Sequence, residues 1–287
     1  MGTNFVLFDE SNEEVYIFSE NGDLLWKTAD FLLGTYRRFD GSNEKNSYLV
    51  SINDGKNRYD AIFNFDTLSV IKTYSGKLGL EGKKIVLSQK TFVTHDRTKI
   101  ALFNHSNEAI WHHKFSDLIQ ADDAFLNSEL IEVGGKLYFT LNSQKGGDPG
   151  IICLDVQSGE LIRHFAGTFF GVFKDNDFVF SSKYENILCR IDSRTNEIEN
   201  WDVGQLLKEN NFKSINDHRC AAQDGKFYFT QTFGDHNAKL GILNFDTKIM
   251  DYNYDFEVSN GAIGSIKLGK DRIFVHTQDH TLHIFEE

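Results

Sequence analysis

The segment Ile62–Val70, IFNFDTLSV, has a close copy at Ile242–Met250, ILNFDTKIM. The shared tetrapeptide Asn-Phe-Asp-Thr recurs after 180 residues, each time between two apolar runs. Asn and Asp favour tight turns because their side chains accept hydrogen bonds from backbone N–H groups a few residues further on. The two copies therefore predict the same hairpin turn at two places in one fold.

The same arrangement of an apolar run, a short polar turn and a second apolar run recurs along the whole chain. Further copies are VYIFSENGDLLW, IALFNHSNEAIW, IICLDVQSGELI and ILCRIDSRTNEI, and a truncated copy, TLHIFEE, ends the sequence. The first turn residues follow one another at intervals of 37 to 52 residues: Ser19, Asn64, Asn104, Asp155, Asp192, Asn244 and Glu286. Internal repeats of this length are typical of solenoids and propellers.

The pattern inside each unit favours strands over helices. Apolar residues alternate or run continuously, and the turns Asn-Gly, Ser-Gly and Thr-Asn are typical of hairpins. Most units hold two more strands upstream, as where ELIEV turns at Gly134-Gly135 into KLYFTLN and then continues as IICLDV. Four short antiparallel strands per unit predict an all-β fold, a β-propeller of four-stranded antiparallel sheets.

We expect seven blades, with six as the alternative if the first and last units merge. The first unit lacks an opening strand and the last lacks a closing one, so we expect the two termini to share one seam. No linker divides the sequence. We therefore predict a single propeller domain over residues 1–287.

The unit VYIFSENGDLLWK resembles the repeat of pyrroloquinoline-quinone enzymes, in which a strand ends in Asp, turns through Gly and resumes with a Trp. Asp155, Gly159 and Leu161 match this repeat, as do Gly22 and Trp26. The match covers turn and apolar positions of every unit, and the sequence lacks the vicinal cysteine pair of those dehydrogenases. The resemblance implies the fold only, a quinoprotein-dehydrogenase-like propeller, and no quinone cofactor.

The charge balance narrows the classes of function. Lys and Arg number 30 against 42 Asp and Glu, a net charge of −12, whereas nucleic-acid and anionic-membrane binders carry basic surfaces. The N-terminal sequence has no basic region followed by an apolar core, so we expect no signal peptide. Three cysteines fit reduced thiols. We expect a cytoplasmic protein that binds neither nucleic acid nor membrane.

Two segments, 115–129 and 202–219, are longer than the other connections and both follow the last strand of a unit. They should therefore lie on the same rim, where acidic side chains surround apolar ones. This composition favours binding of another, basic protein. The predicted contact residues are Asp122, Asp123, Phe125, Leu206, Leu207, Phe212, Asp217, His218 and Asp235.

The first functional hypothesis is a non-catalytic protein-binding propeller that is monomeric apart from its partner. A narrower version is a bacterial immunity or antitoxin protein that neutralises a basic toxin such as a nuclease. A scaffold within a larger assembly would equally require a protein partner.

The alternative is a small-ligand-binding or enzymatic propeller with a site at the central mouth, near His218, His236 and His276. No nucleotide-binding loop, zinc-protease motif or nucleophile elbow occurs in the sequence. The segment HTQDHTLH brings His276, His280 and His283 close together, but successive residues of a strand point to opposite faces. We therefore expect no metal site, and we predict no catalytic residue and no cofactor.

Overall fold

The chain, for which we use a computed structural model, divides into two compact units, residues 1–114 and 115–287. Apart from two short α-helices and one 3-10 turn, the described elements are strands, which confirms the predicted all-β class. In this described part, neither helix is long or apolar enough to cross a membrane. The structure describes residues 5–9, 14–19, 23–29, 32–33, 37–38, 47–53, 55–74, 85–87, 91–104, 106–215, 219–234, 236–258, 263–269, 271–279 and 281–286.

The first unit contains three antiparallel sheets built from strands that follow one another in sequence. Sheet 1 consists of β1 (Phe5–Asp9), β2 (Glu14–Phe18) and β3 (Leu24–Thr28). In sheet 2, β4 (Leu32–Leu33) and β5 (Arg37–Arg38) pair with β6 (Ser47–Asn53), which is followed by β7 (Arg58–Asn64) and β8 (Ser69–Thr73). Sheet 3 consists of β9 (Ile85–Val86), β10 (Thr91–His95), β11 (Lys99–Asn104) and β12 (Ala109–Lys114).

The second unit begins with helix α1 (Phe115–Ile119) and contains four further antiparallel sheets. In sheet 4, β13 (Phe125–Leu126) and β14 (Ile131–Val133) pair with β15 (Lys136–Asn142), which is followed by β16 (Gly150–Asp155) and β17 (Leu161–Ala166). Sheet 5 holds β18 (Phe173–Asp175), β19 (Phe178–Lys183), the 3-10 turn Tyr184–Asn186, β20 (Ile187–Asp192) and β21 (Glu197–Asp202). Helix α2 (Gly204–Glu209) leads to sheet 6, with β22 (Cys220–Gln223), β23 (Lys226–Phe233), β24 (Asn237–Asn244) and β25 (Ile249–Glu257). Sheet 7 consists of β26 (Ile263–Leu268), β27 (Arg272–Thr277) and β28 (Leu282–Glu286).

The middle strands of sheets 4 to 6 contain runs of residues that are buried on both faces. All five residues from Leu137 to Leu141 in β15 are buried, although successive side chains point to opposite faces of a strand. The last strands are mostly exposed, and every residue of β8 is exposed. Packing of sheet against sheet therefore explains the continuous apolar runs.

The repeated Asn-Phe-Asp-Thr turn has the same construction in both units. The Asn64 side-chain oxygen accepts hydrogen bonds from the N–H groups of Asp66 and Thr67, both at 2.8 Å. Asn244 accepts the corresponding pair from Asp246 and Thr247, both at 3.1 Å. Because the asparagine replaces part of the backbone bonding that a turn loses, both copies close their hairpins locally.

The phenylalanine of each copy gives the motif a second role, in the packing of the core. Phe65 and Phe245 are both buried in the core. Leu68 and Lys248, three residues later, both adopt a positive φ, at 53° and 59°. The motif therefore closes a hairpin and fixes a ring in the core at the same time.

Sheets 1 and 7 each have three strands among the described residues, and sheets 2 to 6 have four or five. This agrees with the missing opening strand of the first unit and the missing closing strand of the last. The described residues form seven sheets, three in the first unit and four in the second. The number of blades in a closed ring stays a prediction.

The first strands of successive sheets contact one another within the second unit. Strand β14 contacts β18, β18 contacts β22, and β22 contacts β26. Strands β18, β22 and β26 pair with a neighbour on one side only. These first strands form the walls of the main cleft described below.

Candidate functional site

The two long connections predicted as a rim each contain a short helix of five or six residues. Helix α1 is anchored by Phe115 and Ile119, which are fully buried. Helix α2 is anchored by Leu207, which is 1 % exposed. Each helix therefore packs its apolar side chains inward and leaves polar ones outward.

The segment 115–129 carries most of the acidic side chains near α1. It holds three aspartates and Glu129 without a single Lys or Arg, and the neighbouring loop 143–149 adds Asp148 against Lys145. The two segments are joined by the Asp148 N–H, which donates to the Ile119 carbonyl at 2.7 Å. They form one acidic surface, on which Asp122 is exposed.

The carboxylate of Asp123, next to Asp122, is bonded to the loop 143–149. The Ser143 hydroxyl donates to one of its carboxylate oxygens at 2.5 Å, and the Gln144 N–H donates to the other at 3.0 Å. These two bonds, the Ser143 one above all, lower the pKa of the Asp123 carboxyl below its ordinary value. Asp123 therefore holds the loop 143–149, and Asp122 is the carboxylate that is exposed.

The apolar residues predicted in the second connection lie mainly in the core. Leu207 and Phe212 are 1 % and 5 % exposed, and the Phe212 ring lies 4.8 Å from that of Phe229. Leu206 is partly buried against the same cluster, whereas Phe125 in the first connection is 37 % exposed. This burial corrects the expectation that Leu207 and Phe212 contact a partner, and we leave both out of the surface proposed below.

Several residues singled out in the sequence cannot be placed. Among the predicted contact residues, Asp217, His218 and Asp235 lie outside the described residues, as do Gly22 of the repeat pattern and His280 of the histidine cluster.

The turn between β19 and β20 joins the second connection to sheet 5. Glu185 and Asn186 adopt positive φ angles of 65° and 60°, a region that residues other than glycine seldom occupy. The Asn186 carbonyl accepts from the Val203 N–H at 3.0 Å, and its side chain bonds the Ile215 N–H at 3.2 Å and the Lys213 carbonyl at 3.3 Å. Three hydrogen bonds therefore hold the strained turn against the segment 203–215.

The same turn also reaches the first connection. Tyr184 is 61 % exposed, and its ring meets the Phe170 ring edge-on, with centroids 4.8 Å apart. The adjacent Phe169 carbonyl accepts from the Asn127 side-chain amide at 3.3 Å. We call the surface formed by the exposed and partly buried residues of the segments 122–127, 169–170, 184–186 and 203–215 the insert face.

The residues that connect the insert face were not predicted from the sequence. Phe170, Tyr184 and Asn186 carry no motif, and the tight turn at 184–186 lacks the glycine that usually marks a positive φ. A Glu-Asn pair between two apolar runs was the only signal available.

A cleft of about 540 Å³, the larger of the two concavities described for the second unit, lies between the first strands of sheets 4 to 7. Three cationic side chains and one carboxylate line it: Lys174, Arg219, Lys267 and Glu129. The Arg219 Nε donates to the Ile263 carbonyl at 3.0 Å. Lys174 donates to the Glu132 carbonyl at 2.7 Å and lies 3.8 Å from the Glu132 carboxylate.

Of the histidine cluster, His276 and His283 are described, and they do not converge on one point. His276 lies opposite Leu282 and His283 lies opposite Val275, so the two imidazoles belong to opposite faces of sheet 7. Asp279 accepts from the Thr281 N–H at 3.1 Å and from the Thr277 hydroxyl at 2.5 Å, as a turn residue does. The described residues contain no group of three metal-ligating side chains.

A smaller concavity of about 380 Å³ lies between sheets 6 and 7 and is lined by His236, Glu257 and Asp279, among others. Neither His236 nor His276 lines the main cleft. The two described histidines considered for a central ligand site are thus not brought together in this cleft.

Comparison with known proteins leaves the family open and identifies the fold. No protein-family model matches the sequence, and no curated protein matches it. The structure is similar to BamB from Moraxella catarrhalis, at 12 % identity and a TM-score of 0.55 over 100 % of this chain and 82 % of that one.

Two further solved structures are similar to the same extent. The computationally designed Ika8 protein has 9 % identity and a TM-score of 0.54, covering 98 % of this chain and 95 % of that one. A chain of the mitotic checkpoint complex has 11 % identity and a TM-score of 0.55, covering 100 % and 83 %. At such identities the likeness concerns the fold alone. Its consecutive antiparallel sheets of three to five strands and this likeness show the chain to be a β-propeller.

Proposed function

We propose that this propeller is a non-catalytic protein that binds another protein through its insert face. The observation that carries the proposal is the position of Tyr184, an exposed aromatic side chain on a strained turn. This turn is hydrogen-bonded to the second connection, and Tyr184 packs against Phe170, next to the residue that bonds the first connection. Aromatic anchors on rigid supports dominate the energy of many protein interfaces. The structures of BamB and of the mitotic checkpoint complex support the proposal as examples of the same fold, one of them within a complex.

The first test compares two exposed tyrosines. Tyr184→Ala is expected to weaken partner binding by about thirtyfold, the loss typical of an interface anchor. Tyr252→Ala is the matched control, since Tyr252 is 46 % exposed on β25 and its ring stacks on Tyr254 at 5.9 Å. Partners co-purified from the native host are identified by mass spectrometry, and their affinities for the purified variants are measured by calorimetry.

If neither Tyr184→Ala nor Tyr252→Ala weakened binding of the partner, this result would contradict the proposed anchor. Equal loss in both variants would show that exposed tyrosines in general, rather than the insert face, determine binding.

The partner is proposed to be basic. The acidic surface around α1 has five carboxylates in its two segments against one lysine, and such a field steers an oppositely charged protein toward it. A toxin such as a nuclease, neutralised by this chain as an immunity or antitoxin protein in a bacterial cytoplasm, is the narrower proposal. The chain would then be monomeric apart from that partner.

The charge prediction concerns Asp122 alone, because Asp123 is needed for the loop 143–149. Asp122→Lys should reduce the association rate at low salt by roughly two- to fivefold and flatten its salt dependence. Glu197→Lys makes the same change of charge at the far end of sheet 5, beyond the turn that separates β20 from β21. Stopped-flow measurements at two salt concentrations distinguish the variants, and an unchanged rate for Asp122→Lys would exclude steering by this surface.

We also propose that the hairpin unit is of the pyrroloquinoline-quinone-enzyme type. Asp155 supports this, since its carboxylate accepts from the N–H groups of Gln157 and Ser158 at 2.9 and 2.7 Å, and Gly159 follows with a positive φ. A sequence profile built from homologues would contradict the proposal if the Asp and Gly positions varied freely. No quinone chemistry follows from the repeat.

A further inference from the structure

We infer that the cleft between the first strands of sheets 4 to 7 binds a small organic anion that carries a carboxylate or a phosphate group. The chain has a net charge of −12, yet this cleft is lined by three cationic side chains and one carboxylate. The local charge is thus opposite in sign to that of the protein. The cleft borders the insert face, because Asn127 and Phe170 belong to both, but anion binding in the cleft requires no protein partner.

Two of the three cations are available to a ligand. Lys267 is exposed and makes no ion pair or side-chain hydrogen bond with any residue that the structure describes. Arg219 uses its Nε on the Ile263 carbonyl, which fixes the side chain. Its two terminal nitrogens bond to no residue in the described part of the chain and can make a bidentate contact. Bidentate contacts of this kind are how arginine recognises carboxylate and phosphate groups.

Lys174 and Glu129 limit the charge of the ligand. Lys174 already shares its ammonium group with Glu132, and Glu129 faces the same cleft. The lining has an excess of two positive charges, which suits a ligand with one or two negative charges better than a polyanion.

The walls can accommodate the rest of such a molecule. Because β18, β22 and β26 each pair on one side only, alternate backbone N–H groups along their other edges are free of the sheet ladder and can donate to a ligand. The partly buried side chains of Ile131, Phe173 and Ala222 supply apolar contact. The volume of about 540 Å³ lies within the range of roughly 300–1,000 Å³ usual for small-molecule sites.

The experiment measures binding of citrate and of inorganic phosphate to the purified chain at low salt, by calorimetry and by the shift in melting temperature. We expect saturable binding of at least one probe with a stoichiometry of one. Lys267→Ala and Arg219→Ala should each weaken it by about tenfold, the usual effect of removing a hydrogen bond to a charged group. Arg219→Lys should recover only part of the affinity lost in Arg219→Ala, because lysine keeps the positive charge but lacks the paired nitrogens that make a bidentate contact.

Lys208→Ala is the matched control, since Lys208 is exposed on α2, outside the cleft, and its loss changes the net charge equally. Its anion affinity should equal that of the unaltered protein. Should Arg219→Ala fail to fold, Lys267→Ala still tests the site. Absence of saturable binding for both probes, or an equal loss in Lys208→Ala, would overturn the inference, and neither result would bear on the binding of a protein partner.

Discussion

Replacing Phe245 with alanine is expected to lower the free energy of unfolding by about 3–5 kcal/mol, the usual cost of removing a buried phenylalanine ring. Phe245 is fully buried, and its ring meets those of Phe180 and Trp201 edge-on at 5.6 and 5.8 Å. Its faces also receive Lys248 and Arg190, whose charged groups lie 3.4 and 4.4 Å from the ring centroid. The measurement is urea unfolding followed by far-ultraviolet circular dichroism.

Two further variants in the copies of the repeated motif serve for comparison with Phe245→Ala. Ile249, four residues further on, is 50 % exposed, so Ile249→Ala should cost about 1 kcal/mol or less. Phe65→Ala removes the equivalent ring from the first unit, where Phe65 meets Phe63 at 5.0 Å. A loss for Phe245→Ala no larger than that for Ile249→Ala would contradict the role given to the buried ring.

The same pair of variants tests the proposal of a single domain over residues 1–287. Phe65 and Phe245 belong to different compact units. If the chain unfolds as one domain, both variants move one common transition. If the units unfold independently, each variant moves only one of two transitions, and the single-domain proposal fails.

The second large effect is expected at Asp175 on β18. This side chain is 5 % exposed and accepts the N–H groups of Asp224 and Gly225 at 2.9 and 2.7 Å. These donors form the turn between β22 and β23, where Asp224 has a φ of 52° and Gly225 a φ of 76°. One carboxylate on sheet 5 thus holds the first hairpin of sheet 6.

Asp175→Ala should lower the free energy of unfolding by about 2–4 kcal/mol because it removes the charged acceptor of two part-buried hydrogen bonds. Asp175→Asn keeps one acceptor oxygen and should cost about half as much. Asp177→Ala is the control, since Asp177 is exposed and its carboxylate lies 3.8 Å from Arg194. Such a surface ion pair is expected to contribute little to stability. Equal effects of Asp175→Ala and Asp177→Ala in urea unfolding would exclude the bridging role.

The parts of the fold that were predictable are those that rest on local chemistry. Asn64 and Asn244 each bond to N–H groups two and three residues later, so the tetrapeptide alone contains the whole turn. The middle strands were predictable because only residues covered on both faces tolerate continuous apolar runs. Repeats of such units indicate the architecture before any long-range contact is known.

The functional surface was less predictable because its contacts are distant in sequence. Asp122 and Asp123 are adjacent residues of the same type, and only the hydrogen bond from Ser143, twenty residues away, shows that Asp123 is the one that holds the loop. Leu207 and Phe212 form an apolar stripe whose sequence pattern would be the same whether the stripe packed in the core or contacted a partner. Tyr184 owes its position to Asn186, whose contacts in residues 203–215 lie two strands, β20 and β21, further along the chain.

The order of strands within each sheet has a consequence for how the protein folds. From sheet 3 to sheet 7, the successive strands β9–β12 and β15–β28 pair with their sequence neighbours inside each sheet, so these ladders close only short loops. Contacts between near neighbours in sequence cost little chain entropy, and proteins rich in them fold faster than other all-β proteins of their size. Individual meanders should thus form early in refolding, and the slow step should be the docking of one finished meander onto the next.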